Sequence, residues 1–489
     1  MVATEGGFAR SKSGRQLSTG ATQFHNDERL YTGGIPSDTG CFSIADRKGR
    51  VSLMAFSARI PDSAQSMTPM SVGERIDVVD ILRGWAILGM LVVNFSHDLD
   101  WTWWFTKLWP GTADRAAYSV LHFFAAGKFH ALFSFLFGWG FAFQMDRAEA
   151  RGVRFFPLYA RRLFVLLLFG LANMVIFSWD ATLVEYALTG YLLFLFRGRA
   201  PKMVLAAAFL SVCYWPAHDA AVIYNHARRL ADPHTVEATR QADAKAETEE
   251  IASKDDELEL RTHGSFKESV VQNAGEVAED FSSGGFYLGL LGYPFPLLLL
   301  GFYVGRRRIL QEVSTHVGFL RKVFWWGLSL GLMGNGVGVL VSRYPGTYQA
   351  PWAKWWIGDA AFNQIGVPAL CFCYASAIVL LAQNPKWKVR FAPLAPVGRM
   401  ALSNYILQIL IFDLLAYGLG FFGKVGPLLG VPVGLVVFLL EVLLSAWWMR
   451  RFRFGPAEWL WRTFTYGNLQ PMRMRPRAAD GRQSLIKTV

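Results

Sequence analysis

From Val78 onward the chain writes apolar runs of membrane-spanning length, each closed by charge or by Pro and Gly. They lie at about 78–97, 117–145, 160–178, 181–197, 203–218, 284–305, 320–342, 357–382, 399–421 and 427–449, which predicts ten helices. The second run is long enough to tilt or break, and Gly127, Gly138 and Gly140 offer places for a bend or a partner helix. The fourth is short. Residues 1–70 carry no sustained periodicity and read as a disordered extension, with Met54, Met67 and Met70 as alternative starts before Ser71. A polar loop at 219–283 divides a first helical half, 75–218, from a second, 284–475, and residues 476–489 form a tail.

Basic residues test this division independently, because cytoplasmic loops are enriched in Lys and Arg. Arg75, Arg147 to Arg162, Arg197 to Lys202, Arg306 to Lys322, Lys386 to Arg390 and Arg450 to Arg453 fall on alternate loops, as ten spans require. The 219–283 loop carries more acid than base and falls on the other side. An all-α polytopic membrane protein with both termini cytoplasmic follows. Tryptophans before the second run (Trp101, Trp103, Trp104, Trp109) and the eighth (Trp352, Trp355, Trp356) suit the interfacial belt, with sugar stacking as the alternative.

Composition agrees: the 489 residues are 53% hydrophobic and 18% charged. The formal charge of +12 does not indicate nucleic acid, because it is spread over short loops rather than gathered on one face. Cys41, Cys213, Cys371 and Cys373 lack ligand spacing, so neither a disulfide framework nor a metal is expected. Soluble catalytic signatures are absent: there is no phosphate loop, His-Glu-x-x-His, Gly-x-Ser-x-Gly or Cys-x-x-Cys.

Polar groups inside apolar helices are costly unless they meet a partner, water or a ligand. Asp80 and Arg83 are spaced to pair on one face of the first helix, and Asn94, about three turns on, can share a groove with Arg83. His97 ends that helix, and His122, Lys128 and His130 lie in the second run. Asp180, Glu185, Asp413 and Glu441 are further intramembrane acids. Each has a structural alternative: an anchoring ion pair for Asp80, an interhelical amide bond for Asn94, snorkelling for Lys128. Arg399 and Asn404 enter the ninth helix. Arg450, Arg451, Arg453, Glu458, Trp459, Trp461 and Arg462 follow the tenth as a basic, aromatic segment. It reads either as a latch along the headgroups or, through Arg399, Arg453 and Arg462, as the mouth of an anion site.

The run Asp80-Ile-Leu-Arg-Gly-Trp-Ala-Ile-Leu-Gly-Met-Leu-Val-Val-Asn94 and the run Gly127-Lys-Phe-His-Ala-Leu-Phe-Ser-Phe-Leu-Phe-Gly138 resemble the start of the YeiB-like family, the domain of unknown function numbered 418. Leu297 to Arg306, Pro396 to Gln408 and Phe452 to Gly467 resemble its later parts, so the likeness covers roughly 75–475. The family is bacterial and integral to the cytoplasmic membrane. It is also distantly similar to transmembrane acyltransferases of the heparan-glucosaminide N-acetyltransferase and acyltransferase-3 types. That similarity implies an acyl-coenzyme A (acetyl-CoA) donor and an envelope or small-molecule acceptor. Arg83 would stand by the coenzyme phosphates, and Asn94 or His97 would serve the acceptor. Here Asn94 stands where the acyltransferase-3 pattern has His, so His97 would act as base. Asn173 stands where family members often have His.

The expected catalytic residues are thus His97 and Asn94, and the expected binding residues Asp80, Arg83, Lys128, His130 and Arg399. The rival reading is a transporter of an anionic or small solute, although no internal repeat of the kind transporters often carry is visible.

Overall fold

The computed structural model describes residues 44–45, 51–52, 77–97, 109, 111–177, 181–342 and 358–474. Two units separate, Met1–Asp62 and Ser63–Val489. In the first, the described residues form an antiparallel pair of two-residue strands, Ile44–Ala45 with Val51–Ser52. The rest of the stretch expected to be disordered lies outside the described residues.

The second unit is all-α. Its helices are α1 (Asp77–His97), α2 (Thr112–Phe124), α3 (Lys128–Ala150), α4 (Phe155–Ile176), α5 (Thr182–Leu192), α6 (Pro201–Ala231), α7 (Val236–His263), α8 (Phe266–Ser282) and α9 (Gly284–Gly292). They continue as α10 (Pro294–Arg306), α11 (Val313–Ser342), α12 (Val367–Leu381), α13 (Pro385–Phe391), α14 (Leu394–Arg399), α15 (Ala401–Asp413), α16 (Pro427–Met449) and α17 (Pro456–Tyr466). Wider π turns, Ala360–Gly366 and Leu414–Gly418, precede α12 and follow α15.

Among the described residues eight helical stretches are long and apolar enough to cross a bilayer. They correspond to the first three predicted runs and to the sixth through tenth. The fourth is the shorter apolar stretch Thr182–Phe196. The fifth is the start of α6, which runs through Pro216 and on to Ala231. The acid-rich loop folds as α7 and α8, largely exposed helices, and Ser265 and Glu268 cap α8 reciprocally.

The second predicted run does break. Between α2 and α3 the chain turns at Gly127, whose φ of 78° lies in the left-handed region that favours glycine. Farther along α3, Gly138 packs so closely on α10 that a Cβ there would strike the Leu298 carbonyl, while one at Gly301 would strike that of Phe135. Two glycines facing each other's backbone bring α3 and α10 into close contact, the usual way membrane helices gain van der Waals packing where no hydrophobic force separates them from lipid. Around them Phe141, Phe155, Leu163 and Phe302 are fully enclosed.

Candidate functional site

A cavity of about 270 Å³ opens where one end of α1, α3 and α4 meets α14, α15 and α17. Six arginines line it: Arg83, Arg147 and Arg162 from the first half of the chain, Arg399, Arg453 and Arg462 from the second. Two carboxylates, Asp80 and Glu458, stand among them, and both are already engaged.

Asp80 is shared. Its Oδ1 lies 3.2 Å from Arg83 Nη1 and its Oδ2 3.3 Å from Arg399 Nε, so one acid ties α1 to α14. Asp77 adds a longer contact of 3.9 Å to Arg399. Arg162 is set by neutral neighbours: its Nη1 donates to Gln144 Oε1 at 2.9 Å, and its guanidinium lies 4.0 Å from the Trp461 ring centre. Trp461 Nε1 in turn donates to the Arg162 carbonyl at 2.9 Å. Arg462 stacks on Phe454 at 4.6 Å. Guanidinium groups stay charged in proteins and present planar forks of the kind that suit carboxylate or phosphate.

Glu458, 9% exposed, reaches from α17 to the first turn of α15. Its Oε1 accepts from Leu402 N at 2.7 Å and Ser403 N at 3.2 Å, and its Oε2 accepts from Ser403 Oγ. Backbone donors at a helix start lack partners of their own, and here a carboxylate from a distant helix supplies them. The C-terminal segment is therefore both latch and wall of the cavity.

Burial pushes the Glu458 carboxyl above the ordinary carboxylate range, against the lowering by its Ser403 and Leu402 donors. The folded protein then holds this proton more tightly than the unfolded chain. The stabilisation is full below the unfolded value of about 4.3 and is lost as pH rises through the folded value. Relative to Glu458→Gln, the wild-type melting temperature is expected to fall as pH rises from acid toward neutral. A difference between the two proteins that stays flat with pH contradicts this.

Of the residues expected from sequence, Asp80, Arg83 and Arg399 come together in this cavity. Asn94 does not line it; it is half-buried on α1, about 16 Å along the helix from Arg83. His97 ends α1, and its side chain lies outside the described residues, as do Asp180, Trp101, Trp103, Trp104, Trp352, Trp355 and Trp356.

Lys128 and His130 stand at the other end of α3, Lys128 about 28 Å along the helix from Arg147. Lys128 does not snorkel: it is 0% exposed, donates to the His122 carbonyl at 2.8 Å and lies 4.2 Å from the Phe362 ring centre. His130 Nε2 is 3.4 Å from Glu185 Oε2, and its carbonyl accepts from Tyr186 Oη at 3.2 Å. These two belong to a separate polar cluster. Asn404 bonds Ser445 and the Val397 carbonyl, an interhelical amide link.

Arg147, Arg162 and Gln144 were not expected as site residues. Arg147 and Arg162 read from sequence as topological charge; what marks them is position, since Gly140, Gln144 and Arg147 continue the α3 face of Phe133, Leu136 and Phe137.

Residues 75–225 match the family described as heparan-alpha-glucosaminide N-acetyltransferase, catalytic, and residues 304–468 match the protein of unknown function DUF418. Three of the six arginines fall within each match, so the cavity joins the two matched regions. The uncharacterized protein YxaH of Bacillus subtilis is 34% identical over 420 residues, 83% of this chain and 98% of its own. An uncharacterized 39.9 kDa protein of Bacillus acidopullulyticus is 26% identical over 430 residues, 84% of this chain and 100% of its own. YeiB of Escherichia coli, also uncharacterized, is 28% identical over 408 residues, 80% of this chain and 96% of its own. With a relative so similar over nearly its whole length, and with helices fit to cross a bilayer many times, the chain belongs to the YeiB-like DUF418 family of multi-pass membrane proteins.

Proposed function

We propose that this protein is an acyltransferase of the bacterial cytoplasmic membrane, drawing an acyl group from cytoplasmic acyl-coenzyme A and passing it to an envelope or small-molecule acceptor. The observation that carries this reading is the cavity in which six guanidiniums face two engaged carboxylates. Guanidiniums outnumber carboxylates among the lining residues, with Arg83, Arg162 and Arg399 together there, and the 3′-phosphate and diphosphate of coenzyme A are the kind of charge that such a lining suits. The match of residues 75–225 to an N-acetyltransferase catalytic family favours that polyanion over others. By the distribution of basic loops, the arginine-lined end faces the cytoplasm, where acyl-coenzyme A is found.

In this reading Arg83, Arg399 and Arg162 hold the phosphates, with Asp80 fixing the orientation of the first two. The bound donor supplies an activated thioester. The acceptor's hydroxyl or amine attacks the acyl carbon, the carbon–sulfur bond breaks and the acceptor's proton ends on the departing thiolate. Asn94 and His97, at the far end of α1, are assigned to the acceptor.

Thermal unfolding of the detergent-purified protein tests the reading. Acetyl-coenzyme A at about a hundred times its dissociation constant adds roughly 2.7 kcal/mol to stability. The 3′-dephospho analogue should give a smaller shift and the desulfo analogue a full one. Arg83→Ala removes the shift, whereas His97→Ala keeps it and abolishes transfer. No shift with acetyl or longer acyl forms overturns the assignment and leaves a transporter of another solute as the reading to pursue.

A further inference from the structure

We propose that Gly140 is the passage by which the arm of the bound thioester leaves the arginines for the apolar depth of the cavity. Its missing side chain then decides whether the site takes a whole coenzyme A thioester or only its nucleotide head. The inference rests on the acyl-coenzyme A reading and names the residue that sets what that site admits.

On the α3 wall of the cavity Phe133, Leu136, Phe137, Gly140, Gln144 and Arg147 form one helical stripe about 21 Å long, flanked by Trp139 and Phe143. Along that stripe the polarity reverses at its midpoint. Gln144 and Arg147 lie on the arginine side of Gly140; Phe133, Leu136 and Phe137 lie on the other. On α1 the lining runs Val79, Asp80, Arg83 and then Met90, and on α4 Phe155, Leu158, Tyr159, Arg162 and then Leu166, so beyond the arginines both linings are apolar. A ligand matching this wall has a polyanionic head and a thinner, less polar tail.

A glycine inside a helix lowers helix stability relative to alanine, so its presence needs a reason. For Gly138 and Gly301 the reason is packing, since a Cβ would strike the neighbouring backbone. Gly140 has no such reason. A Cβ there would meet nothing nearer than Arg83 Nη2 at 3.9 Å and Gln144 Nε2 at 4.0 Å, both ordinary contacts with cavity groups. Alanine would therefore fit, and a longer side chain would extend into the cavity where polar and apolar halves join. The gap is open space kept beside the arginine expected to hold phosphate.

Equilibrium binding to the full-length purified protein separates head from arm. Adenosine 3′,5′-bisphosphate probes the head, and coenzyme A and lauroyl-coenzyme A probe the arm. Wild type is expected to bind all three. Gly140→Leu should bind the bisphosphate within about twofold of wild type and the arm-bearing ligands at least about tenfold more weakly, with Gly140→Ala between. Equal affinity of Gly140→Leu for all probes, or equal loss of all of them from a folded variant, overturns the passage while leaving the polyanion site standing. Failure of wild type to bind any probe overturns the acyl-coenzyme A reading and the passage with it.

Should Gly140→Leu not fold, Gly140→Cys gives the same answer. Maleimide labelling of that position, read by mass spectrometry of its peptide, should be blocked by coenzyme A and left open by the bisphosphate. Equal blocking by both, or by neither, overturns the proposal.

Discussion

Alanine in place of Arg162 is expected to weaken coenzyme A binding at least about thirtyfold. Truncating one member of a desolvated charged contact costs about 2–5 kcal/mol, and the lower figure already gives that factor. Arg162 is suited to so large an effect because its neighbours, Gln144 and the Trp461 ring, leave its charge uncancelled and aimed at the cavity. Arg83 and Arg399 spend part of theirs on Asp80. Removing one guanidinium from a group of six also relieves repulsion, so the unliganded variant should melt close to wild type. Titration calorimetry and a melting curve on the same preparation check both halves. Undiminished binding would place the phosphates elsewhere, and Arg162→Lys should recover only part of the affinity because an ammonium lacks the planar fork.

Valine at Gly138 is expected to prevent accumulation of folded protein. Its Cβ would overlap the Leu298 carbonyl, a backbone group in α10 that cannot turn aside as a side chain can. Overpacking a tight contact costs about 1–3 kcal/mol, and a clash with backbone belongs at or above the top of that range. Gly140→Ala, two residues on and facing the cavity, should accumulate normally. Size-exclusion profiles of the two variants extracted in the same detergent make the comparison. A monodisperse Gly138→Val protein of normal yield would mean that α3 and α10 are not in close contact.

This contrast marks where sequence reasoning stopped. Gly138 and Gly140 are equivalent in the written chain, both small residues in one apolar run, and only the element opposite each separates packing from passage. The length of that run allows it to tilt or break, with Gly127, Gly138 and Gly140 as candidate places; it breaks at Gly127, where the chain takes a left-handed turn that other residues resist. Asp80, Arg83 and Arg399 were legible for another reason. A charge within apolar surroundings is expensive and draws notice, and the three meet as an Arg–Asp–Arg group.

Arg147 and Arg162 carry the same charge and passed unnoticed, since basic residues near helix ends are expected for orientation whether or not they hold a ligand. Lys128 and His130 illustrate the converse. Their charge drew notice, but they lie across the membrane span from the arginines, and their neighbours His122, Phe362 and Glu185 come from tertiary packing that no local spacing encodes. Glu458 was read as part of a headgroup latch; its role in capping α15 depends on a contact 55 residues away in the chain.

Photo-crosslinking tests the central claim most directly, because it locates head and tail of the donor together. A coenzyme A thioester with a diazirine on its acyl chain, irradiated with the purified protein, is predicted to mark the Phe133–Phe137 stretch of α3 or Tyr186 of α5, at the apolar end of the cavity. Coenzyme A should suppress that labelling, and Arg162→Ala should abolish it. Labelling confined to other helices, or indifferent to competing coenzyme A, would contradict a donor held by the arginines with its arm running past Gly140.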